Sequence, residues 1–316
     1  EISYTRLKPE EADIFDIIGG FNDETGKNEG FELISEIFPR FRKIPCQIAA
    51  PGFSSSPAVA AVMETKTKNI NGCFNAVALV DLPTIDEKGN HIKYSDIVKW
   101  KNDNNYTGAN MIACYPETGL DGYKYHLSTQ TAGCIALTDY ENDGVPYVSP
   151  SNHSLKINGL VYGDGEEFIL PKEQADYLNG NGIVTAINFT NGWTAWGNRT
   201  AVYPSSSDVK DCFIPTRRMF NWLGNSIVTN YLAKVDYPLL RRTIETIVDS
   251  IGMWLNGLAS RECILGGSIE FLDGENPTTD LIDGTVRFRV KFAPPSPMRD
   301  IEFTLEYDPS YLSDLF

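Results

Sequence analysis

Apolar and polar positions recur along this chain in two rhythms, and the rhythm changes past its midpoint. Up to about residue 120, short apolar runs at 13–18, 44–50, 74–80 and 111–115 are separated by stretches with helical spacing. That order predicts βαβ units on a mostly parallel sheet whose strands are buried on both faces. Between the strands, Phe31, Ile34, Ile37 and Phe38 share one helix face. Ser56 is placed to cap a helix opened by Pro57, with Val59, Val62 and Met63 turned inward, and Ser95 to cap another that ends near Lys101. A further helix is predicted over 124–140. Residues 141–171 are rich in Gly, Pro, Asn, Asp and Ser and predict a long ordered loop, followed by a short helix at 172–178.

Beyond this point the segments 183–189 and 193–202 predict a β-hairpin around Asn191-Gly192, taken as the start of a second domain. The expected organisation is an α/β core domain at 1–182 and an α+β domain at 183–316. Two long helices are predicted at 216–232 and 237–258. The second has Asp236 as its cap, Pro238 at its start, and Leu240, Ile244, Ile247, Val248, Ile251 and Leu255 on one face. A strand at 268–272 follows.

The tail carries two period-2 ribbons. Val286, Phe288, Val290 and Phe292 alternate with Arg287, Arg289 and Lys291; beyond Pro294, Pro295 and Pro297, Ile301, Phe303, Leu305 and Tyr307 alternate with Glu302, Thr304 and Glu306. One ribbon is basic and the other acidic, which suits neighbouring places in one sheet, within one molecule or between two. The prolines cannot donate ladder hydrogen bonds and hold the intervening chain extended.

Charge and composition narrow the function. The net charge of −15, with 27 basic residues in 316, argues against a nucleic-acid surface, which needs clustered Lys and Arg. The sequence has no apolar run of about 18 residues to span a membrane. Its six cysteines are widely spaced without a C-x-x-C pair and read as reduced core thiols. Gly20 to Asn28 resembles a phosphate loop, but five residues separate Gly20 from Gly26, Asn28 stands where a hydroxyl is needed, and Asp23 and Glu24 would repel phosphate. Ser54, Ser55 and Ser56 lack a nucleophile elbow, and His91, His126 and His153 show no metal-ligand spacing. No catalytic residue, cofactor or metal is expected. Trp196 and Arg199, in the hairpin's second arm, are expected to form a structural junction, because an Arg close to Trp and Gly stacks or bonds in a bidentate manner.

Trp196-Gly197-Asn198-Arg199-Thr200, the Arg217-Arg218 helix start and the closing strand-Pro-Pro-strand pattern resemble the C-terminal domain of contractile tail sheath proteins of phages and phage-like bacteriocins. Ile18-Gly19-Gly20, Ala50-Pro51-Gly52, Ser149-Pro150-Ser151-Asn152 and Ile157-Asn158-Gly159 are similar to that family's core, so the likeness covers nearly the whole chain. The resemblance implies a structural polymer without cofactor: subunits in hexameric discs stacked in a helical polymer around an inner tube, joined to a baseplate, assembled in a bacterial host cytoplasm and ending in a virion or bacteriocin tail. It implies strand exchange, with Ile301, Phe303, Leu305 and Tyr307 on the linker strand and Val286, Phe288, Val290 and Phe292 on the acceptor. It further implies that Arg241 and Arg242 face the tube. The arm and strand that precede the core in the family are expected to be missing here, leaving 301–307 folded back, disordered or held by a neighbour. The competing expectation is an α/β enzyme or nucleotide-binding protein.

Overall fold

The computed structural model describes residues 12–190 and 192–311. It opens with α1 (Ile14–Ile18), where the Asp13 carboxylate accepts from the amides of Phe15 and Asp16. The apolar run here predicts a strand, but this capping box fixes a helix instead. β1 (Gly20–Asn22) and β2 (Lys27–Glu29) form a hairpin whose turn is held by the Asn22 side chain accepting from the amides of Glu24 and Thr25. The phosphate-loop-like stretch is therefore a hairpin, not a strand-to-helix loop.

Alternation then follows the expected order: α2 (Ile34–Phe41), β3 (Gln47–Ala49), α3 (Pro57–Lys66), β4 (Val77–Asp81), α4 (Tyr94–Asp103) and β5 (Met111–Cys114). β3, β4 and β5 pair in parallel. Every residue of β4 and β5 is buried, as for strands covered on both faces. Pro57 does open α3, whereas Ser56 makes no side-chain capping bond; α4 begins at Tyr94, before Ser95. β6 (Glu117–Leu120) and β7 (Tyr123–Tyr125) precede α5 (Leu127–Glu141). The helix predicted from residue 124 starts later because Tyr123–Tyr125 pairs with β6. Residues 141–171 hold β8 (Gly159–Val161) and β9 (Glu167–Phe168), which complete an antiparallel sheet of order β7-β6-β8-β9.

After α6 (Lys172–Asn179), β10 (Ile183–Asn188) and β11 (Trp193–Trp196) form the expected hairpin, Asn191 itself lying outside the described residues. This hairpin does not begin a second domain. β10 pairs in parallel with β5, giving a core sheet of order β11-β10-β5-β4-β3. Ile183 to Ile187 are all buried, and a strand apolar on both faces needs an interior place in a sheet.

α7 (Val209–Cys212), α8 (Ile214–Tyr231), α9 (Arg241–Ser260), β12 (Gly266–Glu270), α10 (Thr278–Ile282) and β13 (Arg289–Ala293) follow. Two apolar clusters result, and they divide along α8 rather than at residue 182: Ile214 belongs to the core, Met219 and Leu223 to the second cluster with Ile251, Leu255, Leu258 and Ile269. α8 is fastened to the core by polar side chains. Asn221 donates to the Ala76 carbonyl, Asn225 exchanges two bonds with the Asn75 backbone, and the buried Arg218 pairs with Asp139 through both nitrogens. α9 starts after the predicted point, because Asp236 takes a left-handed φ of 66° and Leu240 supplies the first accepting carbonyl.

Candidate assembly interface

β13 is the last strand of the described chain. It pairs antiparallel with β12, from Gly266↔Ala293 to Glu270↔Arg289, and its other edge has no partner strand among the described residues. The predicted alternation holds: Phe288, Val290 and Phe292 pack on the second cluster, with Phe292 4.3 Å from the ring of Phe220. The strand is shorter than the ribbon 286–292, and Val286 and Phe288 both lie outside it. The Asn276 side chain accepts from the Arg287 amide at 2.7 Å and donates to its carbonyl at 3.0 Å, taking the backbone bonds that a ladder would use.

The basic face is already paired within this chain. Lys291 meets Glu270 at 2.8 Å, Arg289 meets Glu275 and Arg287 meets Asp280. The acidic ribbon is therefore not its partner here. Residues 301–307 form no strand, and Ile301, Phe303, Leu305 and Tyr307 are 61%, 83%, 93% and 78% exposed.

A second exposed surface lies between α8 and α9. Leu232, Val235, Tyr237, Leu239 and Leu240 are exposed there, alongside Arg241 and Arg242. Arg241 bonds Glu245 at 2.8 Å one turn along α9, which offsets the unfavourable placing of a cation at a helix N-terminus. The tip is thus basic and apolar together.

Three of the motifs that carry the likeness, 149–152, 157–159 and 196–200, meet around β11. Ser151 Oγ accepts from the Gly197 amide at 3.0 Å, and Trp193 donates to the Asn158 carbonyl at 3.0 Å. Gly197 has φ 140°, where a Cβ would lie 2.7 Å from Asn179 Oδ1 and 3.0 Å from Val184 Cα, so only glycine fits. Trp196 donates to Asp176 at 2.8 Å. Arg199 lies between two rings, its guanidinium carbon 3.8 Å from the centroid of Phe213 and 4.3 Å from that of Tyr203, with Nη1 on Cys212 Sγ at 2.8 Å. It joins the segment after β11 to the entrance of α8.

Two clefts bear on the enzyme reading. One, of about 420 Å³, runs along α8 and is lined by Asp139, Arg218, Asn221 and Asn225, which are committed to the bonds that hold α8 on the core. The other, of about 170 Å³, contains Asp81, Glu117 and His126. Asp81 ends β4 at the carboxyl edge of the parallel sheet, the usual ligand position of such sheets. Its carboxylate accepts from the amide and hydroxyl of Ser128 and from Ser54 Oγ, while burial raises its pKa above the ordinary carboxylate range. The histidines also differ from expectation, since folding brings carboxylates that sequence spacing did not show: His126 Nδ1 lies 3.8 Å from Asp81, and His91 Nε2 2.7 Å from Asp164. Of the cysteines, Cys114, Cys134, Cys212 and Cys263 are buried as expected, but Cys46 is exposed.

This arrangement of core sheet, α8–α9 pair and β12–β13 has the fold of contractile-injection sheath proteins. The PVC sheath of an extracellular contractile injection system, solved in its contracted state, matches with a TM-score of 0.69 at 21% identity, over 90% of this chain and 76% of that one. In sequence, the chain is 23% identical over 316 residues to a putative prophage major tail sheath protein of Pseudomonas aeruginosa (strain UCBPP-PA14), covering 96% of this chain and 75% of the relative. It is 22% identical over 321 residues to the tail sheath protein of Burkholderia phage BcepMu, covering 99% of this chain and 65% of that protein. No family model matches the chain.

Proposed function

We propose that this chain is a structural subunit of a contractile tail sheath, which polymerises around an inner tube and contracts to drive it through a target envelope. The observation that carries this reading is the exposed ribbon 301–307, set beyond an unpaired β13 edge in a chain that resembles sheath proteins along nearly its whole length. The ribbon is a donated linker strand: Ile301, Phe303, Leu305 and Tyr307 insert beside Val290 and Phe292 of a neighbouring subunit, whose acceptor strand continues back toward Val286 and Phe288. Main-chain ladder bonds supply affinity and the alternate side chains supply register. The basic, apolar tip with Arg241 and Arg242 faces the inner tube, and the end discs meet a baseplate. Subunits assemble in a bacterial cytoplasm as hexameric discs of a helical polymer and end in a virion or bacteriocin tail. The subunit carries no chemistry of its own; contraction is the relaxation of a metastable lattice.

The enzyme or nucleotide-binding reading is not favoured, because Asp81, in the cleft at the sheet's carboxyl edge, is spent on Ser54 and Ser128. Electron microscopy of the full-length protein tests the proposal. Tubes or stacked discs support it. A monodisperse monomer that gains thermal stability from nucleotides would favour the enzyme reading instead.

A further inference from the structure

Among the described residues, His91, Asp164 and Glu166 bring an imidazole and two carboxylates together, their donor atoms all within 4.8 Å of one another. They come from two loops. His91 lies in the connector from β4 to α4, and Asp164 and Glu166 flank Gly165 in the turn between β8 and β9. Thr84 Oγ1 accepts from the Gly163 amide at 2.8 Å and ties the connector to that turn. The imidazole plane is fixed by stacking: His91 lies 4.0 Å from Tyr162 at 6°, and Tyr162 lies 4.2 Å from Phe168 at 18°. On Asp164, Oδ1 accepts from the Glu166 amide at 3.0 Å, which leaves Oδ2 turned toward the ring.

The spacing suits a small ion. Without metal, His91 Nε2 and Asp164 Oδ2 share a hydrogen bond at 2.7 Å, and Nε2 lies 4.0 Å from Glu166 Oε2. A zinc ion bound at about 2.0–2.2 Å by nitrogen and oxygen donors sets neighbouring donors roughly 3.3 Å apart, a value bracketed by these two separations. The charge balance agrees, because a neutral imidazole leaves two carboxylates, and the nearby Lys124 ammonium is engaged by the Gly163 carbonyl. We propose that His91, Asp164 and Glu166 bind one divalent transition-metal ion of the zinc class, which clasps the β4–α4 connector to the β8–β9 turn. The site is independent of the assembly reading.

The test is calorimetric titration of the EDTA-stripped protein with zinc chloride at pH 7.5, on a Cys46→Ser background that removes the exposed thiol. Magnesium chloride serves as the hard-ion control. Expected is saturable 1:1 binding of zinc, with a dissociation constant near or below about 10 µM, and a metal-dependent rise in melting temperature. His91→Ala and Glu166→Gln should each weaken binding by about tenfold or more; the exposed Glu166 side chain can be changed with the metal-free melting temperature in place, whereas His91→Ala also loses its Tyr162 stack and Asp164 bond. Absence of saturable zinc binding, or binding undiminished in the His91→Ala/Glu166→Gln double variant, would overturn the proposal.

Discussion

Arg199→Ala removes a guanidinium held between Phe213 and Tyr203, and the structure permits an estimate of the loss. A cation over one aromatic face contributes about 0.5–2 kcal/mol depending on desolvation, so two faces contribute roughly 1–4 kcal/mol. Against this, Arg199 Nε is buried without a hydrogen-bond partner, which costs on the order of 1 kcal/mol. The Nη1–Cys212 Sγ hydrogen bond is lost as well, at about 1 kcal/mol, so the net expectation is a destabilisation of about 1–4 kcal/mol, or a fall in melting temperature of roughly 1.5–6 °C for a chain of this size. Arg199→Lys discriminates the cause. Lysine keeps the charge but loses the plane that stacks on both rings, so it should recover less than half of the lost stability. Urea denaturation of the three proteins, with melting temperatures as a second readout, decides the matter. An alanine variant within error of wild type would show that Arg199 is not a junction, and full recovery by lysine would show that charge rather than stacking holds it.

Lys101 supplies a pH test. It is 1% exposed, its Nζ donates to the Ala201 carbonyl at 2.7 Å, and burial lowers its pKa to about 8. In the unfolded chain the value is about 10.4, so between roughly pH 8 and 10.4 the unfolded state binds more protons and stability rises with pH; below pH 8 both states are charged and this slope vanishes. Lys101→Met should abolish a rise on the order of 3 kcal/mol across that window, read as the difference between wild-type and variant denaturation curves at pH 7.5 and 10. Parallel pH profiles would refute the assignment. Replacing Arg241 and Arg242 by Glu should reduce co-sedimentation with the inner tube most strongly at low salt, yet change stability by less than about 0.5 kcal/mol, since the gain of carboxylates at a helix N-terminus is offset by losing the Arg241–Glu245 pair. Unchanged attachment would remove that surface from the tube interface.

The parallel strands were legible because β4 and β5 are apolar on both faces, and few other elements produce such runs in so short a span. The domain boundary was not legible. A hairpin turn signal looks the same at a sheet edge and at a domain start, and only the parallel pairing of β10 with β5 separates the two. Residues 13–18 misled for a related reason: a short apolar run takes its conformation from its cap, and Asp13 supplies one. In the candidate interface, alternation identified Phe288, Val290 and Phe292 as inward-facing, but nothing in the residue pattern showed that Asn276 would claim the Arg287 backbone and shorten the strand. Nor did it show that Glu270, Glu275 and Asp280 would neutralise the basic ribbon, because these carboxylates arrive through the β12 and α10 segments. Stacking of Arg199 was legible from its Trp-Gly context, but the rings it stacks on are Tyr203 and Phe213 rather than Trp196. His91 gave no signal, since its carboxylates lie 73 and 75 residues away in sequence.

The central claim is that the ribbon 301–307 belongs to a neighbour. Its four apolar side chains, exposed in the single subunit, would each contribute on the order of 1.5–3 kcal/mol if fully buried against another copy. Deleting the full-length protein from Asp300 onward and examining it by electron microscopy is the direct test, with melting temperature as the control for folding. The account predicts a soluble subunit with an unchanged melting temperature that no longer forms sheaths; sheaths built by the truncated protein, or a truncated protein that fails to fold, would contradict it.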